Sequence, residues 1–105
     1  MKVPYRRFGR TNLKIPVLSL GGMRFQKSWD ELEFSKISSE EQKKLENILN
    51  LANEYGLSHV ETAKYYGTSE VQLGMAFKNT KKRPKIIQTK IPPNNDPKIF
   101  ERDLM

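Results

Sequence analysis

The sequence contains no cysteine and a single histidine. Without cysteine there is no disulfide framework, no thiolate metal site and no thiol nucleophile, and one histidine cannot build a His-rich cluster. No metal site is expected. Long apolar runs are also missing. Residues 15–20 are interrupted by Pro16 and too short for a signal-peptide core, and nothing approaches the ~18 apolar residues of a membrane span. The expectation is a soluble, cytoplasmic protein without membrane contact, since a cysteine-free chain suits a reducing compartment. The 105 residues bound the chain to one domain, 1–105, and exclude a complete (β/α)₈ barrel of about 250 residues.

Acidic side chains are scarce at both ends. Residues 1–27 carry seven Lys/Arg and no acid, residues 28–77 four against nine acids, and residues 78–105 eight against three. The net charge of +7 is therefore split between two basic ends and an acidic middle. A nucleic-acid reader places its cations along one helix or interleaves them with stacking aromatics. Here the densest run, Lys81-Lys82-Arg83-Pro84-Lys85, joins two apolar segments and reads as a solvated connector. A nucleic-acid partner is not expected.

What is present alternates in character. Tyr5 to Pro16 places a Gly9-Arg10-Thr11-Asn12 turn between two short strand-like segments, which predicts a hairpin. Residues 17–20 predict a strand buried on both faces, ended by Gly21-Gly22. Residues 23–37 hold no period and read as an irregular loop with helical turns. Ser38-Ser39-Glu40-Glu41-Gln42 then supplies a capping box, followed by Leu45, Ile48, Leu49, Ala52 and Tyr55 at helical spacing and a stop at Gly56. A strand over 57–63, a helix opening at Ser69-Glu70, a strand over 85–90 and a helix capped by Asp96-Pro97 complete the chain. Strand followed by helix, three times, implies a parallel α/β sheet with open edges through which copies could pair.

In such sheets the chemistry gathers at the carboxyl ends of the strands. Three ionisable residues fall there: Glu61 ending one strand, Tyr66 in the loop after it, and Lys90 ending the next. An ammonium beside a phenol favours the phenolate, and a carboxylate fixes the ammonium, so the three together make a proton donor for a carbonyl oxygen. Spacing alone leaves a second reading open, in which Glu61 and Lys90 form an ordinary cross-strand ion pair and Tyr66 packs inward. His59, two residues before Glu61, shares its face of the strand and reads as a packing residue. Gly21-Gly22 lacks the third glycine and following helix of a dinucleotide fingerprint.

At these residues the chain resembles the aldo-keto reductase family. The resemblance runs through Phe8-Gly9-Arg10-Thr11-Asn12-Leu13 and on to Leu20-Gly21-Gly22-Met23, then through Glu61-Thr62-Ala63-Lys64-Tyr65-Tyr66-Gly67-Thr68-Ser69-Glu70-Val71-Gln72-Leu73-Gly74 and Gln88-Thr89-Lys90. It implies an N-terminal hairpin plus the first three βα units of a (β/α)₈ TIM barrel, incomplete in this chain. It further implies NADPH-dependent reduction of a small carbonyl substrate, with Tyr66 as general acid, Lys90 beside it, Glu61 where most members carry aspartate, and Met23 and Arg24 at the nicotinamide end. Glu61, together with Trp29 and the segment Ile91-Pro92-Pro93-Asn94-Asn95-Asp96-Pro97, resembles the branch with a C-terminal ferredoxin-like iron–sulfur domain. The family's catalytic histidine and its phosphate contacts would fall beyond Met105. The expectation is therefore an N-terminal portion of an NADP-dependent oxidoreductase, inactive alone. The alternative is a non-catalytic partial-barrel module that works by self-assembly or through a partner chain.

Overall fold

A computed structural model describes residues 1–80 and 82–105. Lys81, in the predicted basic connector, lies outside the described residues. The chain begins with β1 (Tyr5–Arg7) and β2 (Lys14–Pro16), an antiparallel hairpin in which Tyr5 faces Pro16. Its turn needs left-handed backbone at Gly9 and Asn12, with φ of 54° and 61°, conformations that glycine and asparagine tolerate best. The hairpin docks at the amino-terminal end of the main sheet. There the Tyr5 hydroxyl donates to the Gly56 carbonyl and accepts from Ser58 Oγ at 2.9 Å.

The main sheet is parallel, in the order β3 (Leu20–Gly21), β4 (His59–Glu61), β5 (Ile86–Gln88). Three helices alternate with it: α1 (Ser39–Glu54), α2 (Ser69–Asn79) and α3 (Pro97–Leu104). Each begins near its sequence signal. Ser38 Oγ accepts from the Glu41 amide at 3.2 Å to cap α1, and Asp96 Oδ1 accepts from the Lys98 amide at 2.9 Å to cap α3, with Pro97 in its first turn. Helix α1 ends at Gly56, whose φ of 76° is left-handed. At the end of α2, Arg83 Nε donates to the Phe77 carbonyl at 2.8 Å, so one cation of the basic connector serves to cap a helix.

Helices α1 and α2 cover one face of the sheet. Leu45, Val60, Leu73, Ala76 and Phe77 form the core there, with Leu20, Phe25 and Leu49 packed against it. Removing a leucine such as Leu45 from water contributes roughly 1.5–3 kcal/mol. Among the described residues nothing covers the opposite face, and they form a slab of 43 × 39 × 22 Å. Its radius of gyration, 14.9 Å, exceeds the roughly 13 Å of a compact chain of this length. Among the described residues the sheet does not close into a barrel.

Two expectations need correction. The first parallel strand spans only Leu20–Gly21 rather than residues 17–20, and Val17 and Leu18 are exposed. The Val17 amide donates to the Pro4 carbonyl at 2.9 Å, so the hairpin keeps residue 17 and the sheet receives the chain late. Cover on both faces is absent as well, because the open face carries polar side chains instead of an apolar run. Ile48 and Tyr55 share the spacing of Leu45 and Ala52 and are exposed. The loop 23–37 is irregular, with one 3₁₀ turn at Phe34–Lys36. Among the described residues no helix is long and apolar enough to cross a membrane.

Candidate active site

Strand register decides which side chains meet. Gly21 lies opposite Glu61, and Glu61 opposite Gln88, so these residues point to the open face, while Leu20, Val60 and Ile87 point to the helices. Alternation places His59 on the open face one layer below Glu61. His59 Nδ1 pairs with Ser19 Oγ at 2.7 Å and Nε2 with Gln88 Oε1 at 3.2 Å, a polar bridge across all three strands.

Above that bridge, at the carboxyl ends of the strands, the three predicted residues come together. The Lys90 ammonium donates to Glu61 Oε2 and to the Thr62 carbonyl, the latter at 3.0 Å. It also lies 5.1 Å from the centroid of the Tyr66 ring, within cation–π range. The hydrogen bond to Glu61 holds the Lys90 pKa above its ordinary value against some loss of hydration, and Tyr66 adds a smaller effect in the same direction. Lysine is thereby kept charged. Its side chain is 43% exposed and that of Glu61 29%, so solvent screens the pair and its worth to stability is small.

The backbone locks this arrangement. The Thr62 amide donates to Gln88 O at 2.7 Å and the Lys64 amide to Lys90 O at 2.9 Å, which extends β4–β5 pairing past the end of the strands. The Tyr66 amide donates to Ala63 O at 3.0 Å and the Ser69 amide to Tyr66 O at 2.9 Å, so the loop folds on itself before α2 begins. Thr89 Oγ1 donates to Glu70 in the first turn of α2 and ties that helix to the residue before Lys90. Lys64 pairs with Asp103 at 3.4 Å and joins α3 to the same loop. Burial pushes the Asp103 carboxyl up, but Lys64 and Arg102 outweigh it and leave the pKa below the usual carboxylate range.

Met23 and Arg24 follow β3 at this same end, Met23 half-buried and Arg24 exposed. They stand on the loop next to the Glu61–Lys90 pair, and the Gly22 amide that precedes them donates to the Glu61 carbonyl at 2.7 Å. Sequence reading missed four residues here. Thr62 and Ser69 join through their hydroxyls at 2.6 Å, Gly22 lies against both, and Gly67 lies against Ser28 and Trp29. The available signal was the spacing itself, since buried hydroxyls flank the tyrosine loop at its two ends.

The fold is thus an α/β protein with an acid, a lysine and a tyrosine gathered at the carboxyl ends of adjacent parallel strands, and helix α2 opening after the tyrosine loop. The aldo/keto reductase family matches residues 17–103, and the chain belongs to that family. Among solved structures it is similar to a Pseudomonas aeruginosa protein assigned as an aldo-keto reductase, at 26% identity and a TM-score of 0.66. The match covers 88% of this chain and 34% of the other, so the chain spans about a third of that protein's length. No curated protein matches it.

Proposed function

We propose that this chain carries the proton-donating side of an NADPH-dependent carbonyl reductase site. The observation behind this reading is the Lys90 ammonium, fixed by Glu61 and lying over the Tyr66 ring, in a chain of this family. NADPH, when bound, supplies the hydride that forms the new C–H bond at the carbonyl carbon. Tyr66 Oη–H gives its proton to the carbonyl oxygen as charge develops there, and the C=O π bond becomes a C–O–H alcohol. The Lys90 ammonium steadies the phenolate left on Tyr66, and Glu61 holds Lys90 in place. Met23 and Arg24, at the mouth of the adjacent loop, would hold the nicotinamide end. Their position fits that role, because the glycines before them bring the backbone up to Glu61: the Gly22 amide donates to the Glu61 carbonyl at 2.7 Å, and a Cβ on Gly21 would lie 3.9 Å from Glu61 Oε1.

The unit is read as a hairpin and the first three βα units of a TIM barrel. Glu61 in the aspartate position, with Trp29 and the segment Ile91 to Pro97, supports the reading that it resembles the branch with an iron–sulfur domain. With no cysteine in the 105 residues, no thiolate of this chain can hold such a cluster. The isolated chain is expected to show negligible reductase activity, since it spans about a third of the protein it resembles. Saturable, Tyr66-dependent turnover of aldehydes by the isolated chain overturns that point. The chemistry itself is tested in a chimaera that joins the chain to the remaining part of the Pseudomonas protein. Tyr66→Phe should lower its turnover by roughly 10²–10⁴-fold, the usual worth of a general acid. Equal turnover in the two chimaeras removes Tyr66 as the donor.

A second reading, self-association as a non-catalytic module, draws on one specific observation. Ile87, in register with the buried Val60, is 52% exposed on the helix side of edge strand β5. It predicts a discrete oligomer by light scattering, and a monomer at all concentrations argues against it.

A further inference from the structure

Resting on the reductase reading, we propose that Thr62 and Ser69 are positioning residues that set Tyr66 against Lys90 through a buried hydroxyl clasp. Neither side chain reaches the open face. Thr62 is 3% exposed and Ser69 0%, and their hydroxyl oxygens lie 2.6 Å apart. The two residues close the loop that carries Tyr66, one at the end of β4 and the other at the start of α2.

Each also holds one member of the pair by its backbone. The Thr62 carbonyl accepts from the Lys90 ammonium at 3.0 Å, and the Ser69 amide donates to the Tyr66 carbonyl at 2.9 Å. A continuous path of hydrogen bonds therefore runs from Lys90 through Thr62 and Ser69 to Tyr66. Breaking its middle bond frees the tyrosine turn to move relative to the lysine. Buried hydroxyls left without partners cost more than the bond itself contributes, so the clasp is a stiff link.

Gly22 seals the clasp from the neighbouring loop. A Cβ at that position would lie 2.8 Å from Ser69 Oγ, 2.9 Å from the Glu61 carbonyl oxygen and 3.2 Å from Thr62 Cβ, closer than packed atoms tolerate. Glycine allows the first loop to press directly on the hydroxyl pair while its own amide donates to Glu61 O at 2.7 Å. On the far side of Tyr66, Gly67 lies flush against the Ser28 carbonyl, so the same loop bears on the tyrosine turn twice.

The test reads geometry rather than turnover, which keeps its failure separate from failure of the catalytic reading. The Lys90 ammonium sits over the Tyr66 ring, so the Lys90 ε-methylene protons carry a ring-current shift in NMR spectra of the full chain. Tyr66→Leu calibrates the loss of that shift, and Lys90→Arg assigns it. Thr62→Val keeps the shape but removes the hydroxyl, and is expected to bring the Lys90 shift to the Tyr66→Leu value while the amide signals of Leu45, Val60 and Leu73 stay in place. Ser69→Ala should do the same, and Thr62→Ser, which restores the hydroxyl, should restore the shift.

An unchanged Lys90 shift in Thr62→Val or Ser69→Ala overturns the proposal. So does loss of the shift in Thr62→Ser, because shape and not the hydrogen bond would then be responsible. The unmodified chain provides a measurement that needs no variant. The Ser69 amide should exchange with solvent as slowly as that of Leu73, and free exchange at Ser69 means the clasp does not hold the turn.

Discussion

The two faces of the parallel sheet are built for different purposes. Toward α1 and α2, Val60 meets Leu45, Leu73, Ala76 and Phe77 with almost no access to solvent. Toward the open side, Ser19, His59, Gln88, Glu61 and Lys90 join through hydrogen bonds and an ion pair. One residue of register separates the two sets, since Val60 lies between His59 and Glu61. Packing on the first face scales with apolar area removed from water, whereas the polar contacts of the second replace bonds to water and add little net stability. Stability therefore resides on the covered face, and the proposed chemistry falls on the face that stability does not need.

The largest effect should follow a cut in the covered face. Leu45→Ala, at a site with 0% exposure, is expected to cost about 2–5 kcal/mol, a large part of the total for a chain this small. Urea unfolding measures it. A loss within a few tenths of a kcal/mol would mean that the core lies elsewhere and that the contrast between the faces is false.

Next comes the seam where the two loops meet beside the site. Gly67 has a φ of 52°, and a Cβ there would overlap the Ser28 carbonyl oxygen and approach Trp29 Cα to 2.9 Å. Gly67→Ala should cost roughly 2 kcal/mol or more, from left-handed strain plus displacement of the loop. Gly74, on the exposed side of α2 with no atom near a built Cβ, provides the contrast. Gly74→Ala should stabilise by about 0.5–1 kcal/mol through its helix propensity. Thermal unfolding of both variants separates them, and a shared sign would show that loop contact does not govern position 67.

Most of the covered face was legible in the sequence because it follows local rules. The capping residues Ser38 and Asp96, the stop at Gly56 and the spacing of Leu45 and Ala52 each carry their reason within a few residues of chain. The triad of Glu61, Tyr66 and Lys90 was legible for a similar reason, since strand ends in a parallel sheet converge. The lost part of the first strand was not. Whether residue 17 joins the hairpin or the sheet depends on which partner takes its amide, and Pro4 is thirteen residues away. Nor could spacing foretell that Ile48 and Tyr55 would stand in solvent, because that depends on what covers α1 and not on its own period. The clasp of Thr62 and Ser69 depends in turn on Gly22, forty residues before Thr62, a contact that no local pattern records.

A smaller effect is expected from the open face. Lys90→Met removes the ion pair to Glu61, yet the pair is screened by solvent, so stability should change by less than about 1 kcal/mol while the chimaeric reductase loses its activity. Such a split, activity lost and the unfolding midpoint retained, supports the division of labour between the faces. A loss comparable to that of Leu45→Ala would make Lys90 a structural residue.

The smallest effect distinguishes charges on the two sides by pH. On the outer surface of α1, the hydrogen bond and charge of Lys44, 3.0 Å from Glu40, hold the Glu40 carboxyl below its ordinary 4.5, with Lys27 adding to the effect. A lowered carboxylate pKa contributes stability that is present above the ordinary value and is lost as pH falls through the lowered one. On the open face the sign is opposite. The raised Lys90 pKa contributes stability that is present below the ordinary 10.5 and lost as pH rises through the higher value. Urea midpoints should thus fall slightly on the acid side through Glu40 and Asp103 and on the alkaline side through Lys90. Lys44→Gln should flatten the Glu40 part of the acid limb, and Glu61→Gln should flatten the alkaline limb. Both contributions should shrink in high salt, that of Glu40 further, because the Glu40 and Lys44 side chains are 72% and 62% exposed while Lys90 also binds the Thr62 carbonyl. If Glu61→Gln left the alkaline limb unchanged, Lys90 would not be held by Glu61 in solution, and the open face would lose the contact on which the proposed chemistry depends.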